Sequence, residues 1–139
     1  MAKFSFRLEK VLEYREMEEG WAKDAYLAAQ RARAEKQAEI ARLIAQRSAV
    51  VTLPANSIPQ RLHLERVMEK MDDEERSHRI ALAVLENEEL NAQAEWNVRR
   101  QAVKAIERLR ENALDAWKLE QERREQADLD EWVTMRRAS

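Results

Sequence analysis

The chain has 139 residues, with 25 lysines and arginines against 27 aspartates and glutamates, which gives a net charge of −2 at pH 7. One glycine, two prolines and no cysteine exclude glycine-rich phosphate loops, disulfides and thiolate zinc sites. The near-balanced charge argues against nucleic acid as a partner, because binding to phosphate backbones needs an excess of Lys and Arg. Since strong helix formers dominate the composition, we predict an all-α protein.

The first predicted element is a long helix that ends before the first proline. Pro54 disfavours helical geometry at the preceding residue. We therefore predict helix one over about residues 4–51, followed by a break over about residues 52–57.

The second predicted element begins directly after this break. Ser57 and Gln60 form a Ser-x-x-Gln capping box, in which the serine hydroxyl accepts a hydrogen bond from the Gln60 backbone N–H. Pro59 falls in the first turn, where a missing N–H costs nothing. Because no helix breaker follows, helix two is predicted over about residues 58–136.

Both helices carry apolar residues at helical spacing. In helix one the apolar positions include Phe4, Leu8, Val11, Tyr14, Trp21, Ala25, Ala28, Ala32, Ile40, Leu43 and Val50. In helix two a heptad repeat runs through Leu64, Val67, Met71, Glu74, His78, Ala81, Leu85, Glu88, Ala92, Arg99, Ala102, Ile106, Leu109, Ala113 and Ala116, beside a second stripe of Trp96, Val103, Ile106, Ala113 and Trp117. A narrow stripe of this period is typical of a coiled-coil seam.

These elements predict a single-domain antiparallel coiled-coil hairpin whose second helix is the longer. Because the helices are unequal, the last 30 or so residues of helix two, from about Ile106 onward at ~1.5 Å per residue, should have no partner helix. Trp117, Leu129 and Trp132 lie on that segment. An unpaired helix end with apolar residues indicates a partner.

The residues that could carry chemistry do not assemble into a catalytic or metal site. Glu75 and His78 have the Glu-x-x-His spacing of diiron bundles, but those need two such motifs and two further glutamates. We therefore expect structural or solvated roles for His78 and His63, no metal, no cofactor and no enzymatic activity. Trp96 lies on a seam stripe, and we predict that it packs between the helices.

Membrane insertion is also not expected. The longest apolar run, Ile80 to Leu85, has six residues, against the roughly 20 of a spanning helix. The first ten residues carry charges where a signal peptide needs an apolar stretch. The sequence therefore predicts a cytoplasmic protein.

Three segments along the chain have the character of family motifs. The opening residues 6–16, Phe-Arg-Leu-Glu-Lys-Val-Leu-Glu-Tyr-Arg-Glu, resemble the start common in the FliJ family of flagellar type III export proteins. Residues 122–132, which end in Leu-Asp-Glu-Trp, are similar to its closing signature, and residues 64–71 are similar to its second helix. The resemblance spans the whole chain.

This resemblance implies a non-enzymatic, stalk-like component at the cytoplasmic face of the inner membrane. A FliJ-like protein forms an antiparallel two-helix coiled coil, and the end that bears its termini docks in the pore of the hexameric export ATPase. It also binds the cytoplasmic domain of the export-gate protein FlhA and has been linked to export chaperones.

The resemblance also implies which residues meet these partners. By matching positions, the gate-binding face would be Leu64, Met68, Met71 and Glu75. Met68 is expected to lie off the seam and to be partly exposed, whereas Leu64 and Met71 could alternatively be simple seam residues.

For the ATPase, charged side chains suit a contact with six similar subunits. The candidates are Arg123, Arg124, Leu129 and Trp132 near the end of helix two, and Phe4, Arg7 and Lys10 on helix one. The alternative is that the end of helix two is a solvated charged tail.

Two other functions remain open at this point. One is the equivalent stalk of a virulence-type injectisome. The other is a general coiled-coil chaperone or adaptor without an ATPase partner, which fits the composition equally well.

Overall fold

The computed structural model describes residues 2–138. Two helices, α1 (Glu9–Val51) and α2 (Ile58–Ala138), account for nearly all of them, and no strand occurs in this range. The predicted fold class is confirmed, because the two helices pack against each other and the second is the longer. α1 ends at Val51, where Pro54 predicts a break.

Helix one begins five residues later than the predicted start near residue 4. The first hydrogen bonds of the turn run from the Glu9 N–H to the Phe6 carbonyl (3.2 Å) and from the Leu12 N–H to the Leu8 carbonyl (2.9 Å). The preceding residues are not helical, and the Phe4 ring lies edge-on to Trp117 at 5.9 Å. The non-helical start of the chain therefore makes a tertiary aromatic contact. The spacing of apolar residues in the sequence does not predict such a contact.

The start of α2 is capped as predicted from Ser57 and Gln60. The Gln60 N–H donates to the Ser57 hydroxyl at 3.3 Å. The Gln60 side-chain oxygen accepts from the Asn56 N–H at 2.9 Å, one residue before the amide that this motif usually uses. The break and the helix start are therefore fixed by local hydrogen bonds.

Contacts divide the chain into two compact units, each built from both helices. The loop unit comprises Trp21–Trp96, and the terminal unit comprises the residues up to Gly20 together with those from Asn97 onward. In the loop unit Ala22, Ile40 and Leu43 are buried, and in the terminal unit Leu12 is buried. Each unit therefore has a small apolar centre.

The inward face of α1 differs from the predicted stripe by one residue over much of its length. Val11, Tyr14, Trp21, Ala25 and Ala28 are exposed. Ala32 of the predicted stripe is partly buried, but most buried and partly buried positions follow a heptad instead: Leu8, Leu12, Arg15, Glu19, Ala22, Tyr26, Ala29, Arg33, Lys36, Ile40, Leu43, Arg47 and Val50. Long polar side chains occupy many of these positions, and they cover apolar surface with their stems while their heads find partners.

The inward face of α2 keeps the predicted heptad at all but four of its positions. Glu74, Glu88, Leu109 and Ala116 are exposed, and the residue after each is partly buried. Val67, Ala81 and Ala102 are partly buried as predicted, and so are Leu64, Met68, Met71, Glu75, His78, Leu82, Leu85, Glu89, Ala92, Trp96, Arg99, Val103, Ile106, Arg110, Ala113, Trp117 and Glu120. The second predicted stripe, with Trp96 and Val103, lies on this seam.

The unpaired part of α2 begins later than predicted. Arg110 donates to Glu9 at 3.0 Å and Trp117 packs on Phe4, so the segment after Ile106 is not free. Partial burial continues to Gln121, and residues 122–132 are all exposed. The non-helical start of the chain extends the contact with α2 in the terminal unit from Arg110 to Trp117, which is about two turns.

Candidate interaction surfaces

The loop unit is crossed by paired charges. Arg33 donates from Nε to Glu89 at 2.6 Å, and both side chains are largely shielded. The hydrogen bond to Glu89 raises the pKa of Arg33 above its ordinary value. Arg47 donates to Asp72 at 2.6 Å, and this bond likewise raises the pKa of Arg47. These pairs fix which residues of the two helices meet.

The histidine that suggested a metal motif takes part in a polar cluster. His78 Nδ1 lies 3.3 Å from Lys36 Nζ and 3.6 Å from the Glu39 carboxylate. Lys36 donates to Glu39 at 2.9 Å, which lowers the pKa of Glu39 below its usual 4.5. Within residues 2–138, no group of three or more potential metal ligands is found.

All four residues of the predicted gate-binding face lie on the α2 seam. Leu64, Met68, Met71 and Glu75 are each partly buried. Glu75 accepts two hydrogen bonds from Arg79, at 3.1 and 2.8 Å. Met68 is partly buried like its neighbour Val67, so it contributes to the seam, while part of its side chain stays accessible as predicted.

The terminal unit has an aromatic cluster that holds the start of the chain. Phe4 packs edge-on against Trp117, and the Arg110 guanidinium lies 5.7 Å above the Phe4 ring. Arg110 also pairs with Glu9. Phe4, a candidate for ATPase binding, is therefore engaged within the fold, whereas Arg7 and Lys10 are exposed.

The remaining ATPase candidates lie on the exposed end of α2. Arg123 and Arg124 approach Glu120 at 3.4 and 3.5 Å and are 80% and 65% exposed. Leu129 and Trp132 are about half exposed. The structure thus presents cationic and apolar side chains together on one helical segment.

Trp96 packs between the helices, as predicted. Its ring stacks on Tyr26 with centroids 5.5 Å apart. The sequence pattern does not predict Tyr26 as the partner of Trp96. The apolar residues Val11, Tyr14 and Trp21 place the predicted stripe of α1 on the neighbouring face of the helix. A heptad register on α1 that matches the 3.5-residue repeat of α2 and allows polar residues at inward positions would have included Tyr26.

Comparison with known proteins gives the decisive assignment. A profile of the family described as Flagellar FliJ protein matches residues 4–139, nearly the whole chain. The chain belongs to the FliJ family. It is therefore a component of flagellar export, in a family that is non-enzymatic. This favours the flagellar alternative over an injectisome stalk or a general adaptor.

Searches of the curated proteins and of the solved structures gave no match to this chain. Among the described residues, no helix is long and apolar enough to cross a membrane.

Proposed function

We propose that this FliJ-family chain is a stalk-like connector between the hexameric export ATPase and the cytoplasmic domain of FlhA. The observation that carries the proposal is the exposed end of α2. Beyond Gln121 the helix continues with exposed residues throughout 122–132, so a long helical surface is left for a partner.

The chemistry of this segment suits a ring-shaped partner. A single helix inside a hexamer meets six similar subunits without matching symmetry, so close apolar complementarity to all of them is not attainable. Electrostatic attraction tolerates imperfect register, and Arg123 and Arg124 supply exposed charge. Leu129 and Trp132 would add apolar anchors. Arg7 and Lys10 remain available as secondary contacts, whereas Phe4 serves the fold.

The ATPase contact is tested by charge reversal on α2. We expect Arg123→Glu combined with Arg124→Glu to reduce stimulation of the export ATPase severalfold, and added salt to weaken the wild-type complex progressively. Arg108→Glu, at another exposed position of α2 in the terminal unit, is the matched control and should leave stimulation unchanged. Full stimulation by the double variant would move the contact elsewhere.

The gate contact is assigned to the accessible edges of Leu64, Met68, Met71 and Glu75. Methionine is flexible and polarizable, and it adapts to varied partner surfaces. Because these side chains are partly buried, a partner would use the edge that α1 leaves open. The alternative is that these side chains serve only to pack the two helices together.

A single variant separates these two roles. We expect Met68→Asp to lower the melting temperature only modestly, because the side chain is partly buried, and to weaken binding to the FlhA cytoplasmic domain while the helix content stays unchanged. Ile80→Asp, on a 70% exposed isoleucine of the same helix and unit, controls for added charge and should bind normally. A large fall in melting temperature would instead assign Met68 to packing alone.

A further inference from the structure

The connection between the helices exposes more apolar surface than a simple turn requires. We define the loop tip as residues 51–63. Val51, Leu53 and Leu62 are about half exposed and Ile58 is 77% exposed. Side chains of this size lose favourable free energy for as long as they face water. Ile58 and Leu62 lie one turn apart at the start of α2 and share that face with Arg61, which marks it as a contact surface.

The charge around the loop tip is one-sided. No carboxylate occurs between Glu39 and Glu65, although acidic residues make up 27 of the 139. Arg61 lies in the tip, and Arg66 lies on the next turn of α2, beside Glu65. Both arginines are exposed, and no ion pair to either of them occurs among the described residues.

From this juxtaposition we propose that the loop tip binds the surface of a bilayer that contains anionic phospholipid. Ile58, Leu53 and Leu62 enter the interfacial region, and Arg61 meets the lipid phosphates. Such binding combines buried apolar area with attraction of basic residues to anionic headgroups. It needs no spanning helix.

Both the charge and the form of the loop tip favour a lipid surface over an acidic protein. The apolar side chains lie on the short connection and on the helix ends that flank it, and Arg61 lies between Ile58 and Leu62 in the sequence. A fluid bilayer accepts this arrangement without a shaped receptor. The exposed end of α2 is a contrast, because Asp128, Asp130 and Glu131 interleave with its apolar residues and repel anionic lipid.

The test is flotation of the full chain with phosphatidylcholine vesicles that do or do not contain one third phosphatidylglycerol. We expect binding only to the anionic vesicles, and weaker binding as salt is raised. Ile58→Ser should lower the partition coefficient about tenfold, and Arg61→Glu about twentyfold.

Two matched variants keep the result specific. Ile80→Ser removes an equally exposed isoleucine and Arg108→Glu reverses an exposed arginine away from the loop tip; both should bind anionic vesicles like the wild type. Circular dichroism checks that every variant keeps its helix content, which is expected because the changed side chains are exposed.

Three outcomes would overturn the proposal. They are no flotation with anionic vesicles, flotation unaffected by both tip variants, and equal loss in the two control variants. Retention of the chain on immobilised polyglutamate, without vesicle binding, would assign the tip to an acidic protein and so reject the lipid surface.

Discussion

Arginine supplies most of the cross-helix polar contacts in both units. In the loop unit Arg33 and Arg47 pair with acids of α2, and in the terminal unit Arg99 donates to Glu18 at 2.5 Å and Arg110 to Glu9. The planar guanidinium holds a carboxylate in a fixed geometry, which lysine does not. Because such partly exposed pairs stabilise weakly, we infer that they select the register of the helices, while the few buried apolar residues supply stability.

The stability of the loop unit should depend on very few side chains. Ile40 is 5% exposed and Ile44, one turn later, is 44% exposed. We expect Ile40→Ala to lower the free energy of unfolding by about 2–4 kcal/mol, because it removes buried methyl groups and leaves a cavity. Ile44→Ala should cost clearly less. Urea unfolding followed by circular dichroism measures both, and equal costs would contradict the assigned inward face.

The lowered pKa of Glu39 predicts a pH-dependent contribution to stability. The hydrogen bond from Lys36 favours the charged carboxylate, so the pKa in the folded state lies below its usual 4.5. The stabilisation is therefore complete above that value and is lost as pH falls through the folded-state pKa.

Comparison of Glu39→Gln with the wild type isolates this contribution. We expect the variant to melt at a lower temperature at pH 7, and the difference to close as the pH is lowered below 4.5 and through the folded-state pKa. Glu35→Gln, at an exposed glutamate on the same helix, should show no such trend. A difference that stays constant with pH would reject the role assigned to the Lys36 hydrogen bond.

At the scale of the element, local signals predicted the helix ends near the loop, and tertiary contacts decided the rest. Pro54 and the Ser57 cap act through neighbouring backbone atoms, so the sequence alone places the break. The start of α1 coincides with the Phe4–Trp117 contact, which joins residues far apart in sequence. The seam of α1 was missed because arginine and lysine occupy inward positions while Tyr14 and Trp21 face outward.

Replacing a polar pair of the seam by apolar residues should raise stability but weaken the selection of one register between the two helices. We expect the double variant Arg33→Leu with Glu89→Leu to melt above the wild type, because a partly exposed ion pair stabilises weakly and two leucines can bury apolar surface between the helices. Either single variant should melt below the wild type, since it leaves one charge without its partner. If the double variant also melts lower, the pair is needed for stability and not only for register.

At the scale of the whole molecule, family membership accounts for a chain that is almost entirely helix. Two helices present long accessible faces, which suits a component that works by binding. The sequence supported the family through three segments along the chain, and the match over residues 4–139 established it. The family could be predicted from the sequence more securely than the residues that bind each partner. Residues that pack the helices together and residues that dock a partner share the same helical spacing, as Met68 shows.

The central proposal, that the exposed end of α2 binds the ATPase, is tested most directly by deletion. A chain that ends at Gln121 loses only the segment beyond the last partly buried seam positions and keeps the contacts of Phe4, Trp117, Arg110 and Glu9. Its stimulation of the export ATPase should be measured beside its melting curve. We predict a melting temperature close to that of the full chain and no stimulation. Undiminished stimulation by this folded, shortened chain would contradict the account.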